Sequence, residues 1–275
     1  MYLNFYGLTE PPFNLTPNPK YFFESSRHVE ALSTLLYAIN HRKGFVVLTG
    51  DVGAGKTTVC RALLSRLDVH TKTAVITNSY LNAKDLLMAV LDDLEVDYTP
   101  GSKSKLHYQL NAYLIEQLRL DNNVVLIIDE AQNLKFQLLE EIRMLSNLET
   151  EFEKLIQIVF LGQPQLKKKL ADSRLDQLRQ RVAVYYHLTP LDFDDVKKYI
   201  RHRLVTAGCA GSDQLFPEET LKKIFEFSNG VPRLINQICD SVLLSGFIYE
   251  KKHIDPQLMD EVIQESPMVQ LGQTT

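Results

Sequence analysis

Long apolar runs are missing from this sequence. No stretch of the 275 residues approaches the ~18 consecutive apolar positions of a membrane span, and no basic N-terminal stretch leads into an apolar core. Neither an integral membrane protein nor a secreted one is expected. Cysteine is scarce: Cys60, Cys209 and Cys239 are odd in number and far apart, which argues against a disulfide framework or a zinc site and fits a reducing cytoplasm. The glycosylation pattern Asn14-Leu15-Thr16 is coincidental in that setting. Excess basic charge is also lacking. With 30 basic and 34 acidic residues the net charge is -4, so no global field advertises nucleic acid. The seven histidines show no ligand spacing and no Ser/His/Asp set can be assigned, which leaves metal hydrolysis and acyl transfer without support.

What is present is a globular composition, 45% hydrophobic, long enough for one large or two modest domains. Its organising stretch is Phe45 to Thr49, read as a buried strand, followed by Gly50-x-x-x-x-Gly55-Lys56-Thr57 and a helix over 56 to 67. This is a P-loop in its proper context. Glycine permits positive φ, so successive N–H groups converge into an anion nest at a helix N-terminus. The residues expected to contact a nucleotide are Gly50, Asp51, Val52, Gly53, Ala54, Gly55, Lys56, Thr57 and Thr58. Lys56 would reach the β and γ phosphates, and the Thr57 hydroxyl would ligate magnesium.

Before the P-loop, residues 1 to 24 carry four prolines among seven aromatics and predict an extended segment packed on the body, a core staple or part of an adenine pocket. Ser25 or Ser26 can cap a helix from about Arg27 to His41. Beyond the P-loop, Thr73 to Thr77 read as a second buried strand. Helices are expected over 83 to 94, capped by Asn82, and over 103 to 120. Alternating strand and helix is the signature of a parallel α/β sheet. The continuous apolar run Val124 to Ile128 suits a central strand buried on both faces, and it ends in Asp129 and Glu130. Ligands of open α/β sheets collect at the carboxyl ends of strands, so these acids belong beside the P-loop in Walker B geometry. Asp129 would hold magnesium through its water shell, and Glu130 would polarise the water attacking the γ phosphate. A helix over 136 to 149, a strand over 155 to 161 ending in Gly162-Gln163-Pro164, and a strand over 182 to 188 follow. From Asp192 onward only helices are expected, over 192 to 207, 217 to 228, 231 to 248 and 255 to 265. Asp192, Pro217 and Asp255-Pro256 serve as start signals. The lysine clusters at 167 to 169, 197 to 198, 222 to 223 and 251 to 252 read as solvated faces.

P-loop, Asp129-Glu130, paired arginines before a fifth strand and a helical C-terminal part together resemble an AAA+ ATPase. More narrowly, Phe5-Tyr6-Gly7-Leu8, Pro12-Phe13, Pro17-Asn18-Pro19, Asp129-Glu130-Ala131-Gln132, Gly162-Gln163-Pro164 and Gly230-Val231-Pro232-Arg233 are similar to bacterial secretion ATPases of the ExeA or general secretion pathway protein A type. The resemblance spans residues 1 to about 265. It implies an α/β P-loop NTPase of the AAA+ type, with a parallel five-stranded sheet sandwiched by helices, followed by an all-α lid domain. The corresponding divisions are a segment 1–24, a nucleotide-binding domain 25–190, a lid 191–265 and a frayed tail 266–275. It also implies sensor 1 at Gln163, an arginine finger at Arg181 with Arg179 close behind, and sensor 2 at Arg233. Asn78 would restrain the catalytic glutamate. Longer members of the type add a membrane span and a peptidoglycan-binding domain, neither of which is expected here.

The expected function is magnesium-dependent ATP binding and hydrolysis by a homo-oligomer formed with ATP. It would serve assembly or remodelling of a cell-envelope machine for secretion, type IV pili or polysaccharide export. A cytoplasmic location is expected, with a peripheral one at the inner membrane as its variant. The alternatives are an ATP-gated DNA-binding assembly protein resembling transposition regulators and a monomeric P-loop kinase.

Overall fold

The computed structural model describes residues 2–266 except Pro17, Phe152 and Ala210, so the expected tail lies outside the described residues apart from Ser266. The elements in chain order are α1 (Tyr2–Tyr6), α2 (Ser26–Asn40), β1 (Phe45–Gly50), α3 (Lys56–Arg66), β2 (Thr71–Ile76), α4 (Ala83–Asp93), α5 (Lys103–Arg119) and β3 (Asn123–Ile128). There follow α6 (Phe136–Leu145), β4 (Gln157–Gly162), α7 (Pro164–Leu170), α8 (Asp176–Arg179) and β5 (Val182–Leu188). The remainder is helical: α9 (Phe193–Thr206), α10 (Ser212–Leu215), α11 (Glu218–Ser228), α12 (Pro232–Ile248) and α13 (Pro256–Glu265). Two compact units result. One comprises Val29–Val52 and Val59–Leu188, the other Met1–His28, Gly53–Thr58 and Thr189–Thr275.

The first unit is built on a five-stranded sheet in the order β2-β3-β4-β1-β5, with every pairing parallel. Parallel strands need crossovers, and the intervening helices supply them. Because β1, β3 and β4 are interior, their apolar runs are buried on both faces, as in Val124 to Ile128. The outer strand β2 differs from expectation: it starts earlier, at Thr71, and alternates between buried and partly exposed residues. An edge strand with Ala74 and Ile76 turned inward needs no continuous apolar run. Helix α6 stops at Leu145 rather than 149, where the Ser146 hydroxyl donates to the Arg143 carbonyl at 2.6 Å and closes the turn. Pro164, read in the sequence only with the end of the strand, opens α7 at N1, where its missing N–H costs nothing.

The second unit has its own core, in which Tyr6, Leu8, Phe13 and Tyr21 join Ile200, Ile235, Val242 and Leu258. The N-terminal segment is not extended throughout. Its prolines begin at position 11, which leaves Tyr2–Tyr6 free to form a helical turn, and Pro19–Tyr21 form a 3-10 turn capped by Asn18. Buried Arg203 on α9 holds this segment, donating to the Pro12 carbonyl, to the Asn14 carbonyl at 3.1 Å and to the Tyr199 hydroxyl at 2.8 Å. Its guanidinium also lies 4.9 Å from the Tyr21 ring centroid. A buried charge is tolerable here because its donors meet oxygens and an aromatic face. Among the described residues, no helix is long and apolar enough to cross a membrane.

Candidate active site

The strand β1 delivers the chain to the P-loop at Gly50. Asp51, Val52, Gly53, Ala54 and Gly55 form the loop, and Lys56, Thr57 and Thr58 are the first residues of α3. Gly53 and Gly55 both take positive φ, 82° and 104°. Such residues turn neighbouring N–H groups toward a common concave face. At Gly53 there is a second demand for glycine: a Cβ would lie 2.5 Å from Arg233 Cβ and 3.2 Å from Val231 Cγ1. The Arg233 N–H donates to the Gly53 carbonyl at 3.3 Å, so the start of α12 rests on the tip of the P-loop. The Arg233 residue itself is exposed, while Lys56 is only 7% exposed.

A second group of residues collects at the carboxyl ends of β3 and β4. Asp129 prolongs β3, donating its N–H to the Ile76 carbonyl at 2.9 Å, and its Oδ1 accepts the Glu130 N–H at 2.8 Å. Its charge is felt on α3: the Cys60 thiol is pushed up to about 12, by burial first and by Asp129 second. Glu130 sits at φ 51°, in the left-handed region that a non-glycine residue occupies only at some cost. That backbone starts the 3-10 turn Ala131–Asn133, which brings Gln132 back toward the carboxylate.

Two amides hold the Glu130 side chain. Gln163 Nε2 donates to Glu130 Oε2 at 3.0 Å, and Gln132 Nε2 donates to the same oxygen. Gln132 Oε1 in turn accepts the Gln163 N–H at 3.0 Å, which ties the two amide residues together. Lys169 on α7 pins the turn from below through the carbonyls of Gln132 and of Leu134, the latter at 2.8 Å. Lys169 therefore does not belong to a solvated face, and burial pulls its pKa below the usual lysine value.

Other expected residues lie elsewhere. Asn78, expected to restrain Glu130, closes a local turn instead, with its Oδ1 accepting the Tyr80 N–H at 3.0 Å. Arg179 pairs with Asp176 at 2.8 Å and donates to the Ala171 carbonyl, whereas Arg181 donates through Nη1 to Ser146 Oγ at 2.8 Å. The two arginines thus have different partners. In the sequence Gln132 stands out only as part of the Asp129-Glu130-Ala131-Gln132 motif; its contact with Glu130 depends on the left-handed turn, which no local pattern announces.

The residue types fit a nucleotide with magnesium. Two glycines leave a cradle that side chains would fill, and the Thr57 hydroxyl and Asp129 carboxylate are hard oxygen donors. Among the described residues no group of three or more His, Cys, Asp or Glu could hold a metal. Magnesium does not need one, since it keeps several waters and binds through one or two protein oxygens plus phosphates.

Residues 39–170 match the family model described as an AAA domain. Among solved structures, Cdc6p from Pyrobaculum aerophilum superposes with a TM-score of 0.71 at 19% identity, covering 95% of this chain and 73% of that one. The ORC2 protein of Aeropyrum pernix gives 0.68 at 11% identity, over 93% and 71% of the two chains. The RuvB Holliday junction branch migration motor of Thermotoga maritima gives 0.58 at 18%, over 88% and 70%. At these identities the likeness is one of fold. General secretion pathway protein A of Aeromonas hydrophila is 45% identical over 248 residues, covering 90% of this chain and 45% of the relative, so the chain spans about half that protein's length. Similarity of that degree along nine-tenths of its length, with an AAA domain inside it, means that the chain belongs to the AAA+ family and to its general secretion pathway protein A type.

Proposed function

We propose that the protein binds and hydrolyses ATP and uses the cycle to assemble or remodel a bacterial cell-envelope system, working from the cytoplasmic side of the inner membrane. The observation that carries this reading is the Glu130 carboxylate, held by two amides at the sheet edge where β1 runs into the P-loop. P-loop N–H groups and Lys56 would bind the phosphates, with the helix N-terminus favouring their charge. Bound magnesium, held by the Thr57 hydroxyl and through water by Asp129, would neutralise phosphate charge. Glu130 would orient the attacking water and take its proton. Once Oε2 leaves the amides of Gln132 and Gln163, the Gln163 amide is free to donate to the water or the γ phosphate. Arg233, already seated on Gly53, would report phosphate occupancy to the helical unit. Arg181, on exchanging Ser146 for a neighbouring subunit's phosphate, would complete that neighbour's site.

Replacing Glu130 by Gln removes the base but not the phosphate contacts. The expected result is ATP affinity within about threefold of wild type and turnover reduced by about 10²- to 10⁴-fold, read by calorimetry and phosphate release. Normal turnover by a folded Glu130→Gln protein would overturn the assignment. Light scattering of the same variant with magnesium-ATP, with ADP and without nucleotide tests assembly, and a monomer in all three would remove the role given to Arg181.

A further inference from the structure

The hydrolysis chemistry leaves one buried polar ring beside the P-loop unused. His28, in the first turn of α2, is 6% exposed, and both of its ring nitrogens are engaged. Nδ1 lies 2.7 Å from Ser25 Oγ, and the ring donates to the Ala54 backbone carbonyl. With Nδ1 facing Ser25, the donor to Ala54 is Nε2. This nitrogen also bounds Gly55, where a Cβ would lie 2.6 Å from it. The Phe22 ring packs edge-on against the imidazole at 6.1 Å. Burial lowers the pKa of His28, which favours a neutral ring with its one N–H on Nε2 and Nδ1 accepting from the Ser25 hydroxyl.

Peptide geometry gives this contact its meaning. In a planar trans peptide the carbonyl and the following N–H point in opposite directions. The Ala54 carbonyl shares its peptide with the Gly55 N–H, so fixing one fixes the other. Gly55 at φ 104° is otherwise free to rotate this peptide at little steric cost. We propose that His28 is a positioning residue for the P-loop, holding the Ala54–Gly55 peptide so that the Gly55 N–H faces the phosphates of a nucleoside diphosphate or triphosphate. This rests on the ATP reading above. The ring never touches the nucleotide; it removes the ordering of a glycine peptide from the cost of binding.

Two substitutions separate this role from packing. His28→Phe keeps an aromatic ring but removes both hydrogen bonds, and His28→Gln returns a donor near the Nε2 position. ADP affinity of the full chain is measured by calorimetry, and thermal midpoints are taken without nucleotide. The expected result is ADP binding weakened about 10-fold in His28→Phe, the scale of one lost buried hydrogen bond. His28→Gln should recover to within about threefold of wild type while the two variants melt at similar temperatures. Equal ADP affinity in folded His28→Phe and wild type overturns the inference, as does a loss in His28→Gln as large as that in His28→Phe. A wild-type protein that binds neither ADP nor ATP overturns the ATP reading itself. Should His28→Phe fail to fold, Ser25→Ala frees Nδ1 and lets the ring turn. A threefold or greater loss of ADP affinity there supports the role, and an unchanged affinity overturns it.

Discussion

The P-loop and the acidic edge of the sheet are built in opposite ways. The first is a run of adjacent residues whose work is done by main-chain N–H groups, with Gly53 and Gly55 supplying the φ values. The second is a side-chain network in which Glu130 on the β3 side meets Gln163, 33 residues later, and both meet Gln132. Main-chain geometry is permissive toward side chains at the exposed Asp51 and Val52 but nearly fixed in shape. The network can be remade: each amide donates to a charged oxygen, a bond strong enough to hold and weak enough to exchange for a water. One region suits tight holding of phosphate, the other suits switching.

Breaking the holding region should have the largest effect. Lys56→Ala removes the one buried cation of the loop, and ADP affinity should fall by about 100-fold or more, measured by calorimetry. An affinity within threefold of wild type would mean that the main-chain cradle is sufficient alone. Next comes a control on stability. Arg203→Met deletes the donors that hold Pro12 and Asn14, and should cost about 2 to 4 kcal/mol, or roughly 5 to 12 °C in thermal midpoint. ADP affinity per folded molecule should stay unchanged, since neither region uses Arg203. Smallest is the test of the switching region. Gln132→Ala leaves Glu130 with one amide fewer, so basal turnover should rise by about two- to fivefold with ADP affinity unaltered. A fall in turnover would show that the amides position Glu130 for catalysis instead of restraining it.

The same contrast decides what could be read before the fold was known. Features determined by neighbours in sequence were legible: the P-loop, the apolar run of β3, and the caps at Asn82, Asp192 and Asp255, whose side chains all accept helix N–H groups. The α7 helix hid behind Pro164 because proline starts helices as readily as it ends them. The start and the burial of β2 differ from expectation because an edge strand shows alternation where an interior one shows a run. Gln132 escaped because its partner is chosen by the left-handed backbone at Glu130, and His28 because a histidine with Ser25 three residues earlier reads as an ordinary helix start.

The N-terminal aromatics carry one more consequence, concerning synthesis. The Tyr2 hydroxyl donates to Asp240 and the Tyr6 hydroxyl to the Lys251 carbonyl, contacts spanning 238 and 245 residues. A ribosome adding roughly 5 to 20 residues per second releases these rings about 10 to 45 s before α12 exists. Arg203 on α9 can take hold of Pro12 and Asn14 partway through that interval, but Tyr2 and Tyr6 wait for α12 and the residues after it, while everything needed to pair the five strands has already been made by Leu188. The nascent chain must therefore keep Tyr2, Phe5 and Tyr6 from wrong company, and a chaperone that binds short aromatic stretches should be found on ribosome-bound intermediates in which synthesis has passed Leu188 and released once α12 has emerged.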